Sequence, residues 1–168
     1  MKLLKIAFIL FTILFFSFFG FLLSLKSDIK LATELNTEIP VPVAFKQLVL
    51  TTTHQPYLTP EALDSVRVSF TYFRDRQPLK VAYRPVVDFK RNRLIFQPVE
   101  PPTKIQPFKS IRHFIYLQKL VDGSTNIHWE LRYRVAGLTP RLLNYFIWQP
   151  RLQQFLNRRS AELKSYFH

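Results

Sequence analysis

The sequence predicts an α+β protein, with an antiparallel sheet, a long C-terminal helix, and one transmembrane helix in front of both. Three observations carry this. Ile6 to Leu25 is a run of 20 residues without a charge. From Asp28 onward, and again between Ser65 and Ala136, apolar and polar residues alternate with the period of two that sends successive strand side chains to opposite faces. After Gly137 the period lengthens to that of an amphipathic helix.

Length and composition bound the rest. Of 168 residues, those beyond the apolar run make about one domain of ordinary size. Hydrophobic residues are 48% and charged residues 21%, the balance of a chain that folds around a core. There is no cysteine, which excludes disulfides, thiolate metal sites, a cysteine nucleophile and a lipoprotein cysteine together.

The apolar run is read as an uncleaved anchor, residues 1–25, followed by a domain over residues 26–168. A helix of 20 residues rises roughly 30 Å, the thickness of a bilayer's hydrocarbon core. A cleaved secretory signal is the rival, since Lys2 and Lys5 form a basic leader. Signal cores, however, run about 7–15 residues and end at small side chains, and here the exit is Phe21-Leu22-Leu23-Ser24-Leu25. A buried core helix is the third alternative. Lys2 and Lys5 precede the run and Lys26 and Lys30 follow it, a balance that slightly favours a cytoplasmic N-terminus. That places the domain on the extracytoplasmic side of a bacterial-type inner membrane.

Within the domain, Asp28 to Ile39 alternates as a half-buried strand and Pro40-Val41-Pro42 ends it. Pro42 suits the first position of a short helix bearing Val43, Phe45, Leu48 and Val49. Thr51 to Pro60 reads as a loop, with a helical turn from Thr59 through Leu63. Strands are expected at 65–73, 79–87 and 93–99, joined by turns at 74–78 and 88–92. Pro85 and Pro98 lack donors and mark edges or bulges. Residues 100–107 form a second loop. Strands at 110–121 and 125–136 make a hairpin around Asp122-Gly123. Gly137-Leu138-Thr139-Pro140 then offers a threonine N-cap and a proline at the first helical position. The long helix carries Leu142, Phe146, Leu152, Leu156, Leu163 and Phe167 near one stripe, and Pro150 is expected to kink or divide it.

The chain bears 24 basic and 11 acidic residues, a net charge of +13. Apart from Lys2 and Lys5 this excess lies in the domain. It is spread along the chain without a compact tract, so solvated strand faces and contact with an anionic lipid surface rank ahead of nucleic acid.

The strand running into Ile39-Pro40-Val41-Pro42-Val43-Ala44-Phe45, and the stretch Trp129-Glu130-Leu131-Arg132-Tyr133-Arg134-Val135-Ala136-Gly137 leading into the terminal helix, resemble the SRPBCC superfamily. These are the helix-grip proteins that include polyketide cyclases and START-like lipid carriers. The resemblance covers about residues 28–167 and lies in topology, without a fixed catalytic motif; the stretch between counts one strand fewer than the usual pattern. It implies a helix-grip fold in which the long helix crosses a curved antiparallel sheet and the space between is a largely apolar cavity. The candidate lining is Phe70, Tyr72, Tyr83, Phe96, Tyr116, Trp129, Tyr133, Phe146 and Phe155, residues that equally suit a plain core.

Catalytic chemistry is scarce. His54, His113, His128 and His168 lack metal-ligand spacing, and each reads as an ordinary histidine. Glu130 shares a strand face with His128 and Arg132, which reads as a salt-linked row before it reads as an acid/base group. No catalytic residue, metal site or cofactor is assigned. Two functions stay open: a membrane-anchored, non-enzymatic carrier of a lipid or other apolar molecule, and an assembly protein whose basic surface docks a partner of an envelope complex. An enzyme of the same fold is a minor third.

Overall fold

The computed structural model describes residues 2–54, 65–73, 78–99, 101 and 105–167. The expected helical turn at 59–63, the turn expected at 74–78 apart from Pro78, and His168 lie outside the described residues.

Helix α1 spans Lys2–Ser24, and within it Leu4–Ser24 is long and apolar enough to cross a membrane. The chain then runs through β1 (Asp28–Thr37), α2 (Val41–Thr53), β2 (Val68–Tyr72), β3 (Leu79–Asp88), β4 (Arg93–Pro98), β5 (Phe108–Lys119) and β6 (Thr125–Val135). A last helical stretch comprises α3 (Leu138–Leu143), a π turn (Asn144–Trp148) and α4 (Gln149–Lys164).

The strands form one six-stranded antiparallel sheet in the order β1-β6-β5-β4-β3-β2. The first and last strands are neighbours in this sheet, since β1 pairs with β6 over its whole length, from Asp28 opposite Arg134 to Thr37 opposite Thr125. The β5–β6 hairpin closes as expected: Leu120 N–H donates to Ser124 O at 2.8 Å and Gly123 adopts φ +89°. Both strand prolines sit where one neighbour has run out. Pairing between β2 and β3 stops at Tyr83, short of Pro85, and pairing between β4 and β5 stops at Phe96, short of Pro98. Neither missing N–H therefore interrupts a ladder.

Helices α2 and α4 lie on the concave face. Helix α2 buries Ala44, Phe45, Leu48 and Val49, and α4 buries Leu152, Phe155, Leu156 and Leu163, against Leu31, Val81, Leu94, Ile115 and Leu131 of the sheet. Helix α4 also protects the β1 edge, since Gln153 Nε2 donates to Ala32 O at 2.9 Å.

The start of the terminal helix differs from expectation in two ways. Thr139 is not its cap: Gly137 holds that position at φ +88°, ψ 158°, a conformation open essentially to glycine, and Pro140 is already inside the first turn. Pro150 does divide the helical stretch, but through a five-residue π turn directly ahead of it and not through a loop, which widens the helix where the proline ring would otherwise meet a carbonyl. The extra residue of a π turn rotates everything upstream by about 100° relative to an uninterrupted helix. Leu152, Leu156, Leu163 and Phe167 therefore stay on the buried stripe, while Leu142 is only half-buried and Phe146 is 65% exposed.

Candidate functional site

The inward faces of five strands converge on one side chain that histidine spacing alone marks as ordinary. In β5, Ile111, His113, Ile115 and Leu117 alternate inward, so His113 stands on the apolar face and is fully buried. Rings surround it at centroid distances of 4.6 Å (Phe70), 5.3 Å (Tyr83), 5.8 Å (Trp129), 6.0 Å (Tyr72), 6.2 Å (Phe155) and 6.3 Å (Phe96). Two polar contacts satisfy it. Trp129 Nε1–H donates to His113 Nδ1 at 3.1 Å, and His113 Nε2 meets the Tyr72 hydroxyl at 2.5 Å. Because indole only donates, Nδ1 must accept, and a neutral imidazole then carries its proton on Nε2 and donates to Tyr72. Tyr72 passes the chain to the Tyr83 hydroxyl at 2.7 Å.

Burial dominates the electrostatics of this cluster. Loss of solvation, followed by the field of Arg159, lowers the His113 pKa to about 3, so the ring is neutral at physiological pH. The same loss of solvation raises the Tyr72 and Tyr83 hydroxyls, which stay protonated.

A pocket of about 290 Å³ opens in front of this cluster, between the last turn of α2, β2 and the end of α4. Phe70 and Trp129 form its inner wall, Val68 and Leu163 add apolar surface, and Arg159 stands at the rim. Arg159 is held by Glu162 at 2.7 Å, with its guanidinium 5.8 Å from the Phe155 ring.

Of the nine candidate lining residues, Phe70, Tyr72, Tyr83, Phe96, Trp129, Tyr133 and Phe155 are buried in the core, and only Phe70 and Trp129 reach this pocket. Tyr133 instead donates to Asn144 Oδ1 at 2.8 Å beneath the π turn. Two of the nine face elsewhere. Tyr116 lies on the outer face of the sheet, stacked on His128 at 5.0 Å, because β5 alternation turns it away from its inward neighbours Ile115 and Leu117. Phe146 sits in the π turn and points out of the domain, 6.3 Å from Phe21 of α1. Among the described residues, the inward side chains pack into the core between helix and sheet, and the pocket that Phe70 and Trp129 reach lies at its rim.

Glu130, His128 and Arg132 form the salt-linked row on the outer face. Glu130 is covered by Lys30 at 2.6 Å, Arg132, and Tyr116, whose hydroxyl donates at 2.5 Å; His128 Nε2 lies 3.7 Å away. Desolvation works to raise the Glu130 carboxyl, but hydrogen bonds from Arg132, Lys30 and Tyr116 outweigh it and hold the carboxyl at about 2. Among the described residues, no group of three or more His, Cys, Asp or Glu is placed to hold a metal ion.

No family model matches the chain, and no curated protein matches it. Solved structures do share the fold. The protein TTHA0849 from Thermus thermophilus superposes with a TM-score of 0.61 at 13% identity, over 83% of this chain and 97% of that one. Norcoclaurine synthase from Thalictrum flavum, solved with dopamine and hydroxybenzaldehyde, gives 0.59 at 11% identity, over 81% and 83%. The Zhui aromatase/cyclase from Streptomyces sp. R1128 gives 0.52 at 12% identity, over 82% and 94%. At such identities the likeness is one of fold, and the fold is the helix-grip: a curled antiparallel sheet gripping a long C-terminal helix, here behind an apolar N-terminal helix.

Proposed function

We propose that the chain is a membrane-anchored helix-grip domain that binds a small apolar molecule without transforming it. The observation that carries this reading is the pocket whose inner wall is Phe70 and Trp129 and whose rim bears Arg159. Its volume of about 290 Å³ lies just under the roughly 300–1,000 Å³ typical of small-molecule sites, which suits a ligand of one or two rings better than a two-chain lipid. The Arg159 guanidinium at the rim, its charge already paired with Glu162, favours a ligand with a neutral carbonyl or hydroxyl oxygen at one end. Binding without chemistry is supported by His113, a neutral imidazole sequestered behind Phe70 and Trp129. In this proposal α1 spans a bacterial-type inner membrane with Lys2 and Lys5 on the cytoplasmic side and the domain outside.

The test is native mass spectrometry of the full chain, extracted gently from cells into detergent micelles. A stoichiometric adduct of a small apolar compound is expected, and Val68→Trp, which fills the pocket from β2, should abolish it. An apo mass that regains no adduct after incubation with a membrane extract sinks the binding reading.

A second reading rests on the filled interior. A domain with its centre occupied by Tyr72, Phe96 and Phe155 suits an assembly protein that uses its basic outer surface to dock an envelope partner. The apo outcome supports it, provided that the chain also co-purifies with a partner after crosslinking in cells.

A further inference from the structure

The π turn leaves a ridge of large apolar side chains uncovered at one end of the domain. Leu138, Leu143, Tyr145, Phe146 and Ile147 are all at least 39% exposed, and Phe146 reaches 65%. This ridge adjoins the last turn of α1. Phe21 packs edge-on against Tyr145 at 5.5 Å and contacts Phe146 at 6.3 Å, while Arg141 Nη1 reaches Leu25 O at 3.5 Å. The sheet is tied to the same place, since Val135 N–H donates to Ser27 O at 2.9 Å. A bilayer crossed by α1 therefore has its interface level with the ridge.

Behind the ridge lies a pocket of about 570 Å³ between the end of α1 and the start of α3. Its charged lining is Lys26, Asp28, Lys30 and Arg141. Asp28 is engaged by Arg134 at 2.6 Å and Lys30 reaches away to Glu130, so Lys26 and Arg141 are the cations that face the opening. Arg141 Nε is buried and finds no hydrogen-bond partner among the described residues. A phosphate oxygen in the pocket is received by the outer guanidinium nitrogens, of which Nη1 makes only the long 3.5 Å contact to Leu25 O among the described residues.

We propose that this end of the domain is an anionic phospholipid site: the ridge from Leu138 to Ile147 enters the headgroup region, and Lys26 and Arg141 receive the lipid phosphate. It rests on the reading of α1 as a membrane span. Its ingredients are those of interfacial helices, with aromatic and aliphatic side chains at headgroup depth and cations beside them. The basic excess of the domain draws the same lipids toward this end.

The natural chain has no cysteine, so one introduced thiol is a unique label. Full-length Phe146→Cys, Val121→Cys and Ile13→Cys are labelled with a bimane fluorophore and reconstituted into vesicles of phosphatidylcholine and phosphatidylglycerol. Val121 lies in the β5–β6 turn, at the far end of the sheet from α1. The proposal expects position 146 to be quenched by a nitroxide on the lipid and shielded from aqueous iodide, with position 121 showing the reverse. In a second arm, native mass spectrometry from mixed nanodiscs reads the ratio of retained phosphatidylglycerol to phosphatidylcholine. Arg141→Gln, and separately the exposed Lys26→Gln, should each lower that ratio by about fivefold, with added inorganic phosphate leaving the ratio of the natural chain unchanged. Iodide access at 146 with shielding at 13 overturns the lipid site and leaves the anchor standing. Iodide access at 13 overturns both. A ratio indifferent to the two substitutions, or lipid displaced by free phosphate, also overturns the site.

Discussion

The His113 cluster makes the stability of this domain depend on pH in a defined direction. The folded protein keeps this imidazole neutral down to about pH 3, whereas the unfolded chain protonates it near 6.5. As pH falls below 6.5 the unfolded state gains a proton that the folded state refuses. Stability from this residue is thus fully present above 6.5 and is lost progressively down to about 3, at about 1.4 kcal/mol per pH unit. The perturbation is His113→Leu, which removes the titrating group and leaves the Trp129 indole N–H without its acceptor, while the Tyr72 hydroxyl keeps its bond to Tyr83. At pH 7 the one unsatisfied buried donor costs roughly 1–3 kcal/mol relative to the natural chain. At pH 4 the natural chain has lost about 3 kcal/mol through His113 that the variant does not lose, so the gap narrows by that amount or inverts. Urea unfolding of both full-length chains in non-ionic detergent, followed by tryptophan fluorescence, measures this difference at each pH. Contributions from the carboxylates cancel between the two chains. A gap constant to within about 0.5 kcal/mol between pH 7 and pH 4 would refute the buried, neutral imidazole.

Three further outcomes follow from the same geometry. Glu130→Gln removes the charge that Lys30, Arg132 and Tyr116 surround, and should cost about 1–3 kcal/mol in urea unfolding at pH 7. Because the carboxyl is held at about 2, its contribution is present above about 4.5 and fades as pH falls toward 2, so the difference between variant and natural chain closes in that window. Gly137→Ala forces a side chain into φ +88° with its Cβ 3.4 Å from Pro140 Cδ, and a loss of roughly 1–3 kcal/mol should appear as a lower melting temperature. Phe155→Ala empties the space against Phe70 and Tyr72, costs about 3–5 kcal/mol, and should enlarge the rim pocket enough to increase binding of a fluorescent apolar probe to those molecules that stay folded.

The candidate site was legible in part. Phe70 and Trp129 are visible from strand alternation alone, since each falls on the apolar phase of its strand. His113 carries the same signal, sitting between Ile111 and Ile115 on the inward phase, but metal-ligand spacing, the usual test of a histidine, says nothing of strand phase. Tyr116 is misplaced for the complementary reason: it is aromatic, but one residue out of phase with Ile115 and Leu117, on the outer face that it shares with Phe114 and Arg112. Arg159 gives no local signal, because its closeness to His113 arises from a helix crossing a sheet about fifty residues away in the chain.

What the sequence determined by itself is what short-range physics encodes. An uncharged run long enough for a bilayer, alternation with period two, prolines that deny ladder donors, and a glycine turn between two long strands each follow from neighbours within a few residues. From these came the apolar helix, the six strands and the hairpin, and with the family resemblance the helix-grip architecture. Only the tertiary structure decided how far the helix layer stands from the sheet. Periodicity names the inward face but carries no distance between layers, so whether Tyr72, Phe96 and Phe155 line a cavity or fill it depends on the volume that the opposing side chains leave. The tertiary structure also decided the phase of the terminal helix, where the π turn ahead of Pro150 adds one residue, turns Phe146 from the core toward Phe21, and brings the apolar ridge to the end of α1. That turn satisfies Pro150 and the Tyr133–Asn144 contact together, a balance no single stretch of sequence contains.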